Sequence, residues 1–169
     1  FYNVSTPNQW VNEYNDLYAV TLGAEQTLEQ ILDRESDILL SYLAKGEISP
    51  WMFHQPNQRA YGNGNISLLG RLLETTASKY RAIFNLPLLS PTMTELGQRV
   101  AARMSYNSAG VQAVISATDI TITAASSTVV PVTGLNSVTA ESYGGDLISY
   151  VPVTAGTPVT LPFVYVPAP

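Results

Sequence analysis

A single imidazole, His54, and no cysteine thiol are available for acid–base or nucleophilic work in this sequence of 169 residues. As a general base, His54 would need an orienting carboxylate on one side and a nucleophile on the other. Its sequence neighbours, Phe53, Gln55 and Pro56, supply neither. No G-x-S-x-G elbow accompanies it. A half-buried structural histidine in a loop is the expected role. A Ser-His-Asp set stays open as the alternative, because its members can lie far apart in sequence. The missing thiols remove disulfides, thiol catalysis and Cys-ligated metals, and they leave the compartment open.

Carboxylates are the next group that could do chemistry. Glu25, Glu29, Asp33 and Asp37 recur every fourth residue, which on a helix makes one acidic stripe. Such a stripe could hold a cation or dock on a basic patch of a partner. A di-metal bundle needs Glu-x-x-His pairs, and a calcium loop needs D-x-D-x-D-G; neither pattern occurs. A solvated polar face is the expected reading. Gly62-Asn63-Gly64-Asn65 precedes a helical pattern, and a glycine-rich turn there could hold phosphate. Ser67 stands where a dinucleotide fingerprint needs glycine, and the Lys-Ser/Thr pair of a Walker loop is missing. The stretch reads as a loop tip. Asn3-Val4-Ser5 and Asn65-Ile66-Ser67 match the glycosylation acceptor pattern, which is short enough to arise by chance. No metal, cofactor or catalytic residue is nominated, and the chain is expected not to be an enzyme.

The elements that would carry these residues fall into two kinds. All eight Lys and Arg lie at or before Arg103, and from Ser108 onward the only charged side chains are Asp119, Glu141 and Asp146. Residues 1–107 are Leu-, Glu- and Arg-bearing and read as helical, whereas 108–169 are rich in Val, Thr, Ser, Ala and Pro. Helices followed by strands predict an α+β fold: a bundle of about four helices, then an antiparallel β region with a Pro-rich extended arm.

The first helix starts at Thr6-Pro7, carries Trp10, Val11, Tyr14, Leu17 and Tyr18 on one face, and stops at Gly23. The second has a capping box in Thr27 and Gln30 and a stripe of Leu28, Ile31, Leu32, Leu39, Tyr42 and Leu43. It ends at Lys45-Gly46. Residues 50–65 lose periodicity and read as a long loop anchored by Trp51, Met52 and Phe53. Asn65 is expected to cap a third helix whose stripe is Ile66, Leu69, Leu73, Ala77, Tyr80 and Phe84, ending at Pro87. Ser90 and Pro91, or Thr92 with Glu95 as a capping box, start the fourth, lined by Met93, Leu96, Val100 and Met104. Period-two alternation follows around Val111–Ile115 and at Ile120 and Ile122. Further strands are expected at 129–132, at 147–151 after Gly144-Gly145-Asp146, and at 159–166. Five prolines from Pro152 onward point to edge strands or an arm.

Composition bounds the partners. Charged residues make up 12% of the chain, against about 25% in ordinary soluble domains. The net charge of −5 and the scattered basic residues exclude a nucleic-acid-binding surface and disfavour an anionic membrane surface. No run of about 20 apolar residues could span a bilayer, and no leader pattern opens the chain. Because it begins at Phe1, the chain is expected to be processed or part of a longer one.

A surface so short of charge suggests shielding by neighbours. The expected function is therefore a structural subunit of an oligomeric assembly, in contact with copies of itself and neighbouring structural proteins. Polar, thiol-free β regions on a helical base point to a virion of the tailed-phage kind, as a connector or decoration protein. The expected interface residues are Tyr143, Tyr150, Val159, Leu161, Phe163, Tyr165, Trp51 and Phe53. The alternative is an extracellular or cell-surface β-rich binding module, an adhesin or carbohydrate-recognition domain, in which Trp51, Phe53 and Tyr61 stack on a sugar. A monomer in solution would favour that alternative.

Overall fold

The computed structural model describes residues 1–62, 64–135 and 140–162. Four α-helices come first: α1 (Pro7–Leu22), α2 (Leu28–Lys45), α3 (Leu68–Ile83) and α4 (Met93–Ser108). Six strands follow: β1 (Gln112–Ile115), β2 (Asp119–Thr123), β3 (Thr128–Thr133), β4 (Ala140–Tyr143), β5 (Asp146–Val153) and β6 (Val159–Pro162). The fold is α+β, with every described strand pair antiparallel. Among the described residues no helix is long and apolar enough to cross a membrane.

Two compact units divide the chain, Phe1–Asn85 and Leu86–Pro169. α4 thus falls in the unit of the strands and packs on β3, although composition changes only at its C-terminal end.

In the first unit, Thr6 and Gln9 form a capping box that starts α1, and Gly23 ends it at φ +78°, where a side chain would be strained. Thr27 and Gln30 do the same for α2. Val4, Trp10, Tyr14, Ile31, Leu32, Leu39, Leu68 and Leu72 form its buried core. Leu17 and Tyr18, expected on the buried face of α1, are exposed. The third helix also differs from expectation. Ser67 caps it, its hydroxyl accepting from Gly70 N at 3.0 Å, and Leu68, Leu72 and Thr76 face inward together with the expected Tyr80. Leu73 is exposed, and the helix ends at Ile83, short of Pro87.

In the second unit, the sheets β1-β2-β6 and β3-β5-β4 share one core. Ile120 and Ile122 of the first sheet meet Val130, Val151 and Val153 of the second. Alternation on β2 and β5 gives each sheet one inward face. Gly144-Gly145, both at positive φ, turn β4 into β5 in two residues. Pro131 lies on the edge strand β3. Pro152 lies on the central strand β5, but β4 pairs only as far as Ser149, so Pro152 has a single strand neighbour. The C-terminal stretch supplies an edge strand, β6; the expected arm beyond Pro162 lies outside the described residues. Helix α4 has the expected Thr92–Glu95 capping box but no buried residue; Met93 and Met104 are exposed.

Candidate functional site

His54 sits at the end of the loop that follows α2, in front of a single 3-10 turn, Gln55–Gln58. Its position is fixed by Asn57, which is wholly buried. The Asn57 side-chain oxygen accepts from His54 N at 2.8 Å, and its amide nitrogen donates to Val4 O at 2.9 Å. Asn57 N in turn donates to His54 O at 3.0 Å. The N-terminal segment and the His54 loop are thereby joined through one amide, whose burial is tolerable because its polar groups are paired. The imidazole lies edge-on to the Tyr2 ring, with centroids 4.4 Å apart.

Aromatic rings surround this loop. Phe1 packs on Trp10 at 4.4 Å and on Phe53 at 6.0 Å, which ties the loop to the helical core. Trp51 meets Tyr42 of α2 edge-on at 5.3 Å and stacks at 6.5 Å on Phe53. Phe53 and Tyr61 are half-buried against the core, so they anchor the loop. Trp51 is 43% exposed and Tyr2 66% exposed, so a ligand can reach these rings. The Tyr61 hydroxyl oxygen is buried without a hydrogen-bond partner among the described residues. Imidazole can act as a general acid or base, and an exposed aromatic ring such as Tyr2 can lie against the C–H face of a sugar.

The acidic stripe on α2 has a different role. Lys79 of α3 reaches Asp33 and Asp37, with Nζ 2.6 Å from a carboxylate oxygen of each, and Arg71 lies 3.5 Å from Glu29. The partner acids and the partner bases both span eight positions, Glu29 to Asp37 and Arg71 to Lys79, so the basic patch is in the same chain. Desolvation lowers the Lys79 pKa, but its hydrogen bonds to the two aspartates outweigh this and the net direction is upward. On α1, Tyr14 donates to Glu35 at 2.8 Å, and burial followed by that bond pushes its pKa up to about 12. No group of three or more His, Asp or Glu among the described residues could hold a metal.

The residues expected at an interface are divided between the two units. Trp51 and Phe53 belong to the helical unit. Tyr143 is half-buried on β4 and donates to Pro87 O at 3.1 Å. Tyr150 on β5 donates to Glu141 at 3.0 Å. Val159 and Leu161 on β6 pack on the core of their own unit. Phe163 and Tyr165 lie outside the described residues. Sequence reasoning overlooked Asn57 and Tyr2, whose significance appears only in three dimensions.

Comparison with known proteins corrects the functional expectation. No curated protein matches the chain. A solved structure described as that of Agd3, a novel carbohydrate deacetylase, shares the fold with a TM-score of 0.79 at 23% identity. The match covers 98% of this chain and 28% of that one. A family model described as the Agd3 deacetylase domain matches residues 1–114. These matches overturn the expectations of a phage structural subunit, of a virion location and of a chain without enzymatic function. Low surface charge does not require burial in a particle; a polar, Ser- and Thr-rich exterior accounts for it as well. With two thirds of its length under that family model, the chain belongs to the Agd3 deacetylase domain family.

Proposed function

We propose that this chain contributes to the hydrolysis of acetyl groups on a carbohydrate, with His54 as its proton-transfer residue and Trp51 and Tyr2 as flanking rings for the sugar. The observation that carries the proposal is the placement of the sole imidazole: it is held by Asn57, lies edge-on to the exposed Tyr2 ring, and belongs to the residues matched by the deacetylase family. In such a hydrolysis, water adds to the acetyl carbonyl carbon. The tetrahedral intermediate then collapses, the bond from that carbon to the sugar nitrogen or oxygen breaks, and the departing atom takes up a proton. Acetate and a free amine or hydroxyl result. The role assigned to His54 is delivery of that proton. The loop's anchoring by Phe53 and Asn57 suits it, since proton transfer depends on position within hydrogen-bond reach. An extracellular or cell-surface location accords with a carbohydrate substrate.

The test is acetate release from N- and O-acetylated oligosaccharides. His54→Gln is expected to lower kcat about a hundredfold, within the usual range for loss of a general acid. Trp51→Ala is expected to raise KM while changing kcat less. A His54→Gln protein with unchanged kcat would remove the role assigned to the imidazole. Failure of the unsubstituted protein to release acetate from either class of substrate would remove the reading as a whole.

A further inference from the structure

Residues 86–169 contain two basic side chains, Arg99 and Arg103, and both line one groove in the second unit. They stand one helical turn apart on α4, with Tyr106 continuing the same face. Opposite them are Pro131 on β3 and Ile148 and Tyr150 on β5, and the groove encloses about 530 Å³, within the range of small-ligand sites.

The nearby acids are engaged elsewhere. The Glu95 carboxylate accepts from Thr92 N at 2.7 Å and from the Thr92 hydroxyl at 2.9 Å. Glu141 accepts from the Tyr150 hydroxyl at 3.0 Å. Among the described residues neither arginine has a salt bridge. Burial, and then the bond to Glu141, raise the Tyr150 pKa, which keeps that hydroxyl neutral.

We propose that this groove binds a carboxylate-bearing sugar, a uronate unit of a carbohydrate chain. Guanidinium matches a carboxylate through paired N–H donors. Pro131 and Ile148 offer an apolar floor for the C–H face of a pyranose, and the Tyr106 and Tyr150 rings border it. Glu95, one turn before Arg99 on α4, offers that guanidinium a charge at a distance but no salt bridge, and a neutral sugar would leave Arg103 without a counter-charge in the groove. Phosphate-rich partners are poorly suited, because the charge is limited to two residues on a chain of net charge −5. The inference extends the carbohydrate reading above, but places sugar binding in the second unit and requires no acetyl group.

Titration calorimetry with trigalacturonate, a neutral galactose trisaccharide and tetraglutamate tests it. Trigalacturonate is expected to bind, more weakly as salt rises, and at least about tenfold more tightly than the neutral trisaccharide or the peptide. Arg99→Gln with Arg103→Gln should abolish the preference; Arg103→Lys, which keeps charge but loses the planar fork, should lose only part of it. These side chains are exposed, so the variants should fold, which circular dichroism checks. Absence of binding, equal affinity for the neutral sugar, equal affinity for the peptide, or binding unchanged in the double variant would each overturn the proposal. Acetate release measured on the same proteins separates the two readings. Loss of uronate binding leaves turnover at His54 to be judged by its own assay, and absence of turnover leaves the groove result standing.

Discussion

Tyr14 couples the core of the helical unit to pH. Its ring is buried and its hydroxyl donates to Glu35, so the folded state holds the phenolic proton more tightly than the unfolded chain does. Its pKa rises from 10.0 to about 12. A pKa raised on folding gives a stabilising contribution that is complete below the unfolded value and lost as pH climbs through the folded one. The window therefore runs from about pH 10 to pH 12. Urea unfolding across that window should show stability falling with pH, and Tyr14→Phe should fall less steeply because it has no phenolic proton to lose. Equal slopes would mean that the hydroxyl is not held as described. Lys79 shares the direction, so the difference between the two proteins, rather than either slope alone, isolates Tyr14. Single residues were also where sequence reasoning fell short at the site. His54, Trp51 and Phe53 stand out by type, but Tyr2 and Val4, which complete the environment of His54, are distant in sequence, and Asn57 carries no local signal of burial. Arg99 and Arg103 were visible as the last basic residues, but their convergence on one groove requires the strands that follow.

At the scale of elements, capping chemistry was legible because it is local. Thr27 with Gln30 and Thr92 with Glu95 announce helix starts from a three-residue spacing, and both boxes are present. The third helix shows the limit of this reading. Asn65 and Ser67 are both competent caps two positions apart, and two rows of apolar residues compete for the inward face. With Ser67 as cap, the inward row is Leu68, Leu72, Thr76 and Tyr80 rather than the row through Leu69 and Leu73. Leu72 is 3% exposed and Leu73 49% exposed. Leu72→Ala should therefore cost about 2–5 kcal/mol in urea unfolding, the range for a buried leucine. Leu73→Ala should cost less than about 1 kcal/mol. The reverse order would restore the row through Leu69 and Leu73 as the buried face. Strand β4 escaped notice because Ala-Glu-Ser-Tyr has no apolar alternation; its strand state comes from the Gly144-Gly145 turn that folds it onto β5.

Over the whole molecule, scarcity of charge has a solution consequence that does not depend on an assembly. The net charge is −5 at pH 7 and the isoelectric point is about 4.7, so electrostatic repulsion between copies vanishes in mild acid. What then governs association is which surface is adhesive. Strand β1 is a sheet edge with all four residues exposed and none charged, a combination that invites pairing between copies. Its Val114 is 70% exposed and faces outward in register with Thr121 and Thr160. Val20 on α1 is 96% exposed and serves as a comparison site. Val114→Lys and Val20→Lys change the net charge identically, so both should move the pH of maximum turbidity upward by the same small amount. Only Val114→Lys also places a charge on the open edge, so it alone should lower the height of that maximum, with little change in Tm. If both variants lower the maximum equally, net charge governs association and the edge does not. If neither does, the adhesive surface lies elsewhere on the chain.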